Sequence, residues 1–174
     1  AARRADARVV LSSSAAVYGD PASLPVHETD PKHPRSPYGI QKLSADHLAR
    51  AYHDLYGLET VVLRYFNAYG PRQRADDYAG VIAAFRRQVR AGDPVTVHGD
   101  GDQTRDFVHV SDVVAANLAA ARTDAVGRAY HVGTGEAPSV RELAALIRDL
   151  TGSGVSIVHA TGRPGDVRHS RAHI

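Results

Sequence analysis

The chain has 174 residues, 43% of them hydrophobic and 23% charged, the size and composition of one ordinary globular domain with a real core. A formal charge of +2, scattered over pairs such as Arg3-Arg4 and Arg86-Arg87 without a basic block, argues against a nucleic-acid surface, and no apolar run nears the roughly 18 residues that span a bilayer. The absence of cysteine excludes disulfides and thiolate metal sites.

In chain order, residues 1–8 read as the tail of a helix that leads into a buried strand, an odd place for a protein to begin. The end at RHSRAHI is equally abrupt, so the expectation is an internal piece of a longer chain. No charged-then-apolar leader opens it, and a cytoplasmic location is the default expectation. Val9 to Ser12 is a short apolar run that ends in serines, as a parallel strand does at its carboxyl end. Asp20 to Arg35 is loop. Ser36-Pro37 supplies an N-cap and a first-turn proline for a helix whose apolar residues run from Ile40 to Leu55, with Gly57 closing it. Thr60 to Phe66 is β-branched and continuous, a second buried strand.

Beyond the Gly70-Pro71 turn the alternation becomes less regular, which places a change of domain near Gly70 to Asp77. Gly80 to Arg90 reads as helix, and Pro94 to His98 and Arg105 to Val110 as short strands. An alanine-rich helix from Val113 to Ala121 starts behind Ser111-Asp112, and Ala129 to Val132 is a strand. Ser139 and Glu142 have capping-box spacing for a helix through Leu150, and Val155 to Val158 is a last strand. Helices alternating with buried strands mean α/β with a mainly parallel sheet, followed by a smaller mixed lobe.

Tyr38 and Lys42 stand at i and i+4, on one face of the first turn of their helix. A free tyrosine ionises near pH 10, and making one a base near neutrality needs about 3 to 4 kcal/mol. A lysine ammonium within a few ångströms favours the phenolate and supplies part of that. Lys42 is one of only two lysines against 19 arginines. Tyr and Lys also pair on many solvated helix faces, so the spacing alone is a weak signal. Ser14, ending a strand upstream, adds a hydroxyl able to hold a substrate oxygen while Tyr38 handles its proton; the alternative is an ordinary loop serine.

The segments SSSAAVYGD, SPYGIQK, LRYFNAYGPRQ and TRDFVHVSDVV, in that order, resemble the extended short-chain dehydrogenase/reductase superfamily, and within it the UDP-hexose 4-epimerases. The resemblance implies the C-terminal part of a Rossmann-like, doubly wound parallel sheet over residues 1–70, and a mainly substrate-binding lobe over 71–174 with some elements returning to the sheet. It implies NAD as cofactor and a UDP-sugar as substrate. In the implied reaction the sugar loses hydride from C4, Tyr38 removes the O4 proton, Ser14 steadies that oxygen, and hydride returns to the other face of a 4-keto intermediate. Ser12 and Tyr65 match cofactor contacts beside Tyr38 and Lys42, and Asn67 and Arg105 match contacts to the diphosphate. Arg163 and Asp166, in GRPGD, match a pair that holds phosphate and ribose hydroxyls, and Thr96 and His98 align with the strand along the uracil.

Ser170 falls where hexose-only epimerases of this kind carry a tyrosine, so a small residue there implies room for an N-acetyl group; the alternative is a solvent-facing loop serine. His173 stands where the family usually has aspartate, a departure that leaves the match beyond Ser170 insecure. The Gly-rich phosphate turn of a dinucleotide fold does not occur; Gly99-x-Gly101 and Gly133-x-Gly135 match it only in part and read as turns. Residues 1–174 alone are therefore expected to bind dinucleotide weakly and to be inactive. A 4,6-dehydratase needs acid and base groups directly after the catalytic hydroxyl residue, where this chain has Ala15-Ala16. A UDP-glucuronate epimerase or decarboxylase remains an alternative, needing a carboxylate-binding group that the sequence does not identify. No histidine spacing marks a metal site, His169 and His173 included. The resemblance also implies a homodimer through the helix from Pro37 to Tyr56, unless its apolar face is intramolecular core.

Overall fold

The computed structural model describes residues 1–74, 80–163 and 165–174. Its centre is a three-stranded parallel sheet in the order β1 (Val9–Ser14), β2 (Thr60–Tyr65) and β7 (Arg128–Val132). The first five residues of β2 are buried, which is why that stretch is continuously apolar and β-branched up to Arg64. Register pairs Val9 with Thr60 and Ser14 with Tyr65, so both strands end together at the carboxyl edge.

The crossover between β1 and β2 is α1 (Pro37–Tyr56). Ser36 caps it by accepting from the Gly39 amide, and Gly57 ends it at φ 66°, a left-handed conformation that glycine adopts without penalty. α1 lies on the face of the sheet to which Thr60, Val62 and Arg64 point; the Thr60 hydroxyl donates to the Ala49 carbonyl. On the opposite face α3 (Val110–Ala120) covers Val61 and Leu63, in a cluster with Val108 and Val132.

A second core joins α2 (Val81–Ala91), α4 (Val140–Leu150) and the parallel pair β4 (Val95–His98) and β8 (Ile157–Ala160). Phe85, Val89, Val95, Val97, Leu143 and Ile147 fill it. Both halves of the capping box at Ser139 and Glu142 are formed.

Two further parallel pairs, β3 (Asn67–Tyr69) with β6 (Phe107–His109) and β5 (Thr104–Arg105) with β9 (His169–Ser170), connect the cores. Asp106, between β5 and β6 and fully buried, fastens this region. Its carboxylate accepts from Thr134 N and Oγ1, Gly135 N and Ala172 N at 2.8 to 3.1 Å, which satisfies a charge that burial would otherwise penalise heavily. A Cβ on Gly133 would lie 2.9 Å from that carboxylate, which is the reason for a glycine there.

Asp106 also breaks the strand expected over Arg105 to Val110 into β5 and β6. α3 begins at Val110, with the His109 side chain accepting from the Ser111 amide, so the cap lies ahead of the expected Ser111-Asp112. The last long strand is displaced to Ile157–Ala160, and β1 continues to Ser14. Residues 75–77 of the expected domain change lie outside the described residues. Among the described residues no helix is long and apolar enough to cross a membrane.

Candidate active site

Five of the residues singled out by sequence meet at the carboxyl edge of β1 and β2. Ser12 and Ser14 end β1, Tyr65 ends β2, and Tyr38 and Lys42 project from the first two turns of α1. The Lys42 Nζ donates to the Ser12 carbonyl at 2.8 Å and sits 5.6 Å from the centre of the Tyr38 ring. Tyr38 is 54% exposed. Ser14 Oγ accepts from the Ala16 amide at 3.2 Å, capping the short 3₁₀ turn Ala15–Val17. That bond consumes a lone pair and leaves the hydroxyl proton to donate elsewhere.

Two contacts fix α1 against this edge. Gly39 is buried, and a Cβ there would stand 2.7 Å from the Ala16 carbonyl oxygen and 3.0 Å from Pro34 Cβ. Only hydrogen lets the helix approach the turn that follows Ser14. One turn beyond Lys42, Asp46 Oδ2 accepts from Arg64 Nε at 2.8 Å, both side chains under one-tenth exposed. Tyr38, Lys42 and Asp46 thus occupy i, i+4 and i+8, and the buried ion pair sets the rotation of the helix that presents the first two.

Arg64 also donates to the Tyr18 hydroxyl at 2.7 Å, and that hydroxyl lies 2.7 Å from His131 Nε2. Burial raises the Tyr18 pKa to about 12 despite the opposing pull of Arg64. His131 is pushed below the usual imidazole value, chiefly by burial, although Glu28 opposes this. Burial would raise the Glu28 pKa, but hydrogen bonding from the His131 amide prevails and holds it below the usual carboxylate value.

The residues expected along the substrate are distributed over the second region. Arg105 and Ser170 are register partners on β5 and β9. Arg105 Nη2 bonds Asp166 Oδ1 at 2.5 Å, and Nη1 donates to the Thr104 and Arg168 carbonyls. Among the described residues, three of the five N–H groups this guanidinium carries are thus engaged, leaving two to meet an anion. Arg163 and Asp166 are joined through the backbone, the Asp166 amide donating to the Arg163 carbonyl at 3.2 Å, while Arg163 Nη2 lies 3.2 Å from His98 Nε2. Thr96 and His98 share one side of β4, alternating with the fully buried Val95 and Val97. Asn67 binds the Asp106 carbonyl with both its backbone and side-chain nitrogens, which anchors β3.

Sequence reasoning missed Gly39, Asp46, Arg64, Asp106 and Asn117. The placing of Asp46 four residues after Lys42 was a legible signal for one of them. Asn117 had none, since its partner Tyr65 is 52 residues away.

Comparison with known proteins decides what this arrangement belongs to. Residues 1–133 match the model of the NAD dependent epimerase/dehydratase family. The chain belongs to that family. It is 39% identical over 173 residues, 98% of its length, to the UDP-glucose 4-epimerase of Mycolicibacterium smegmatis, of which it covers 55%. It is 38% identical over 165 residues to the UDP-N-acetyl-alpha-D-glucosaminuronate decarboxylase of Bacillus cytotoxicus, covering 91% of this chain and 51% of that one. The solved UDP-N-acetylglucosamine 4-epimerase of Methanobrevibacter ruminantium M1, in complex with UDP-N-acetylmuramic acid, superposes with a TM-score of 0.96 at 36% identity. That superposition covers 99% of this chain and 56% of the other. The chain thus spans about half the length of the curated relatives it matches. The Rossmann-like α/β fold expected from sequence is the fold of this family.

Proposed function

We propose that the whole protein interconverts nucleotide sugars at C4, a UDP-hexose or its N-acetyl form, using NAD. The observation that carries this reading is the meeting of Ser14, Tyr38 and Lys42 at one strand edge, with the Lys42 ammonium anchored 2.8 Å from the Ser12 carbonyl. The site fits a nicotinamide: Ser12 and Tyr38 are exposed beside Lys42. Ser12, Tyr38, Lys42 and Tyr65 are the residues that would hold it. When bound there, the nicotinamide supplies a reversible acceptor for hydride.

The chain's own groups then handle the oxygen. Ser14 donates its remaining proton to the sugar O4 and holds it in place. Tyr38 takes the O4 proton as the carbonyl forms and gives it back to the opposite epimer. Lys42 favours the phenolate through its charge. Ala15 and Ala16 have no proton to give, so no group directly after Ser14 can expel water from the sugar as a dehydratase requires. Arg105, with two N–H groups uncommitted among the described residues, serves the diphosphate together with Asn67 and Arg163, and Asp166 takes ribose hydroxyls. Thr96 and His98 lie along the base, and Ser170 leaves room at C2 of the sugar.

A second reading, action on a UDP-uronate, is favoured by the 38% identity to a decarboxylase. Incubating the whole protein with UDP-glucose, UDP-N-acetylglucosamine and UDP-glucuronate, then separating the products, tells the two apart. The proposal requires C4 epimers of the first or second, while conversion of the uronate alone contradicts it.

A homodimer through α1 belongs to the same reading, since Ile40, Leu48, Tyr52 and Leu55 are 45 to 71% exposed along that helix. Sedimentation should show a dimer that Leu48→Glu dissociates; an unchanged dimer places the interface elsewhere.

A further inference from the structure

Asn117, in the last turn of α3, reaches the candidate site through Tyr65. Its Nδ2 donates to the Val113 carbonyl at 2.7 Å. A carbonyl only accepts, so this contact fixes which end of the amide is nitrogen. The same Nδ2 is 2.8 Å from the Tyr65 hydroxyl, and Oδ1 is 3.1 Å from it. The Tyr65 hydroxyl in turn lies 3.0 Å from Ser12 Oγ. Ser12 is exposed, and its carbonyl receives the Lys42 ammonium.

The direction of the protons follows from these partners. Nδ2 has two hydrogens, one for Val113 and one for Tyr65. The two amide atoms approach the Tyr65 hydroxyl from the same side. The Tyr65 hydroxyl has two acceptors in reach, Oδ1 at 3.1 Å and Ser12 Oγ at 3.0 Å; a proton aimed at Oδ1 would meet the N–H proton arriving over the shorter 2.8 Å contact, which favours donation to Ser12 Oγ. Ser12, accepting from Tyr65, then has its own proton directed away from the protein.

We propose that Asn117 is a positioning residue that orients the chain Asn117 to Tyr65 to Ser12, so that the Ser12 hydroxyl is presented outward as a hydrogen-bond donor to the nicotinamide half of the dinucleotide. The inference rests on the reading of Ser12 as a cofactor contact. Replacing the amide by a carboxylate keeps the shape and removes the donor. The Tyr65 hydroxyl then donates to position 117, Ser12 donates inward to Tyr65, and the outward donor is lost.

The test is NAD binding to the whole protein by calorimetry, with UDP binding and thermal stability measured alongside. Asn117→Asp should weaken NAD about tenfold, the loss of one hydrogen bond, with UDP affinity unchanged. Ser12→Ala should weaken NAD by a similar factor, and Asn117→Asp should add nothing in that background. Asn117→His, whose Nδ1–H stands where the Asn Nδ2–H stood, should restore binding to within about twofold. If Asn117→Asp does not fold, Asn117→Thr, whose one hydroxyl proton goes to the Val113 carbonyl and which can then only accept from Tyr65, takes its place in the cycle without adding charge. Unchanged NAD affinity, additivity with Ser12→Ala, or an equal loss of UDP affinity overturns the proposal. A wild-type protein that binds UDP but not NAD overturns the cofactor reading itself, and the proposal with it.

Discussion

Gly39 gives the sharpest test of how the fold sets the catalytic geometry. Replacing it by alanine places a Cβ 2.7 Å from the Ala16 carbonyl oxygen, where ordinary contact begins near 3.4 Å, with Pro34 Cβ at 3.0 Å on the other flank. The oxygen is backbone and cannot rotate away, so α1 and the turn after Ser14 must separate by several tenths of an ångström. Overpacking of this kind costs about 1 to 3 kcal/mol, while exchanging glycine for alanine in a helix returns up to about 1 kcal/mol. The net loss of stability is therefore about 0 to 3 kcal/mol, within what a folded protein of ordinary stability withstands. Turnover is more sensitive, because Tyr38 is the neighbour of Gly39 and Ser14 precedes the displaced turn; a shift of about 1 Å costs on the order of a hundredfold. The expected result for Gly39→Ala in the whole protein is kcat down about tenfold to a hundredfold, with a lowered urea midpoint. Wild-type kcat refutes the claim that close approach of α1 sets the site.

Further expectations concern the buried network, pH and specificity. Arg64→Met should cost about 3 to 5 kcal/mol in urea denaturation by leaving Asp46 buried and unpaired, and the double substitution with Asp46→Leu should recover much of it; equal losses in both would contradict the pairing. His131 has its pKa lowered in the folded chain, so stability is fully present above its unfolded value near 6.5 and is lost as pH falls through the folded value. The groups facing it are Tyr18, Glu28, Phe66 and the His173 carbonyl, and Glu28, itself lowered, adds a further loss only at more acid pH. The urea midpoint should therefore decline from pH 7 toward pH 5, and His131→Gln should flatten that decline; an unaltered slope assigns it to other groups. Ser170→Tyr should cut turnover of the N-acetyl substrate while sparing the hexose, and unchanged N-acetyl turnover removes Ser170 from the site.

The main elements were legible because their signals are local. Ser36-Pro37 and Gly57 bounded α1, the β-branched run from Thr60 marked a strand buried on both faces, and Ser139 with Glu142 announced α4. The interruption at Asp106 was not legible, because its carboxylate is satisfied by amides 28 to 66 residues away. The two-residue strands β5 and β9 are likewise set by their partners and carry no pattern of their own. Within the site, Tyr38 and Lys42 showed through helical spacing and Ser14 through its strand end. What holds them there did not, since Gly39, Arg64 and Asn117 act through contacts across elements.

The central claim is that Ser14, Tyr38 and Lys42 serve reversible oxidation at C4 of a nucleotide sugar. The most direct measurement is turnover of UDP-glucose deuterated at C4 by the whole protein, with the product read by NMR and reduced nicotinamide by absorbance. The account predicts UDP-galactose that retains deuterium at C4, no accumulation of reduced cofactor, and loss of turnover in Tyr38→Phe. Deuterium lost to solvent, or full turnover without the Tyr38 hydroxyl, would contradict it.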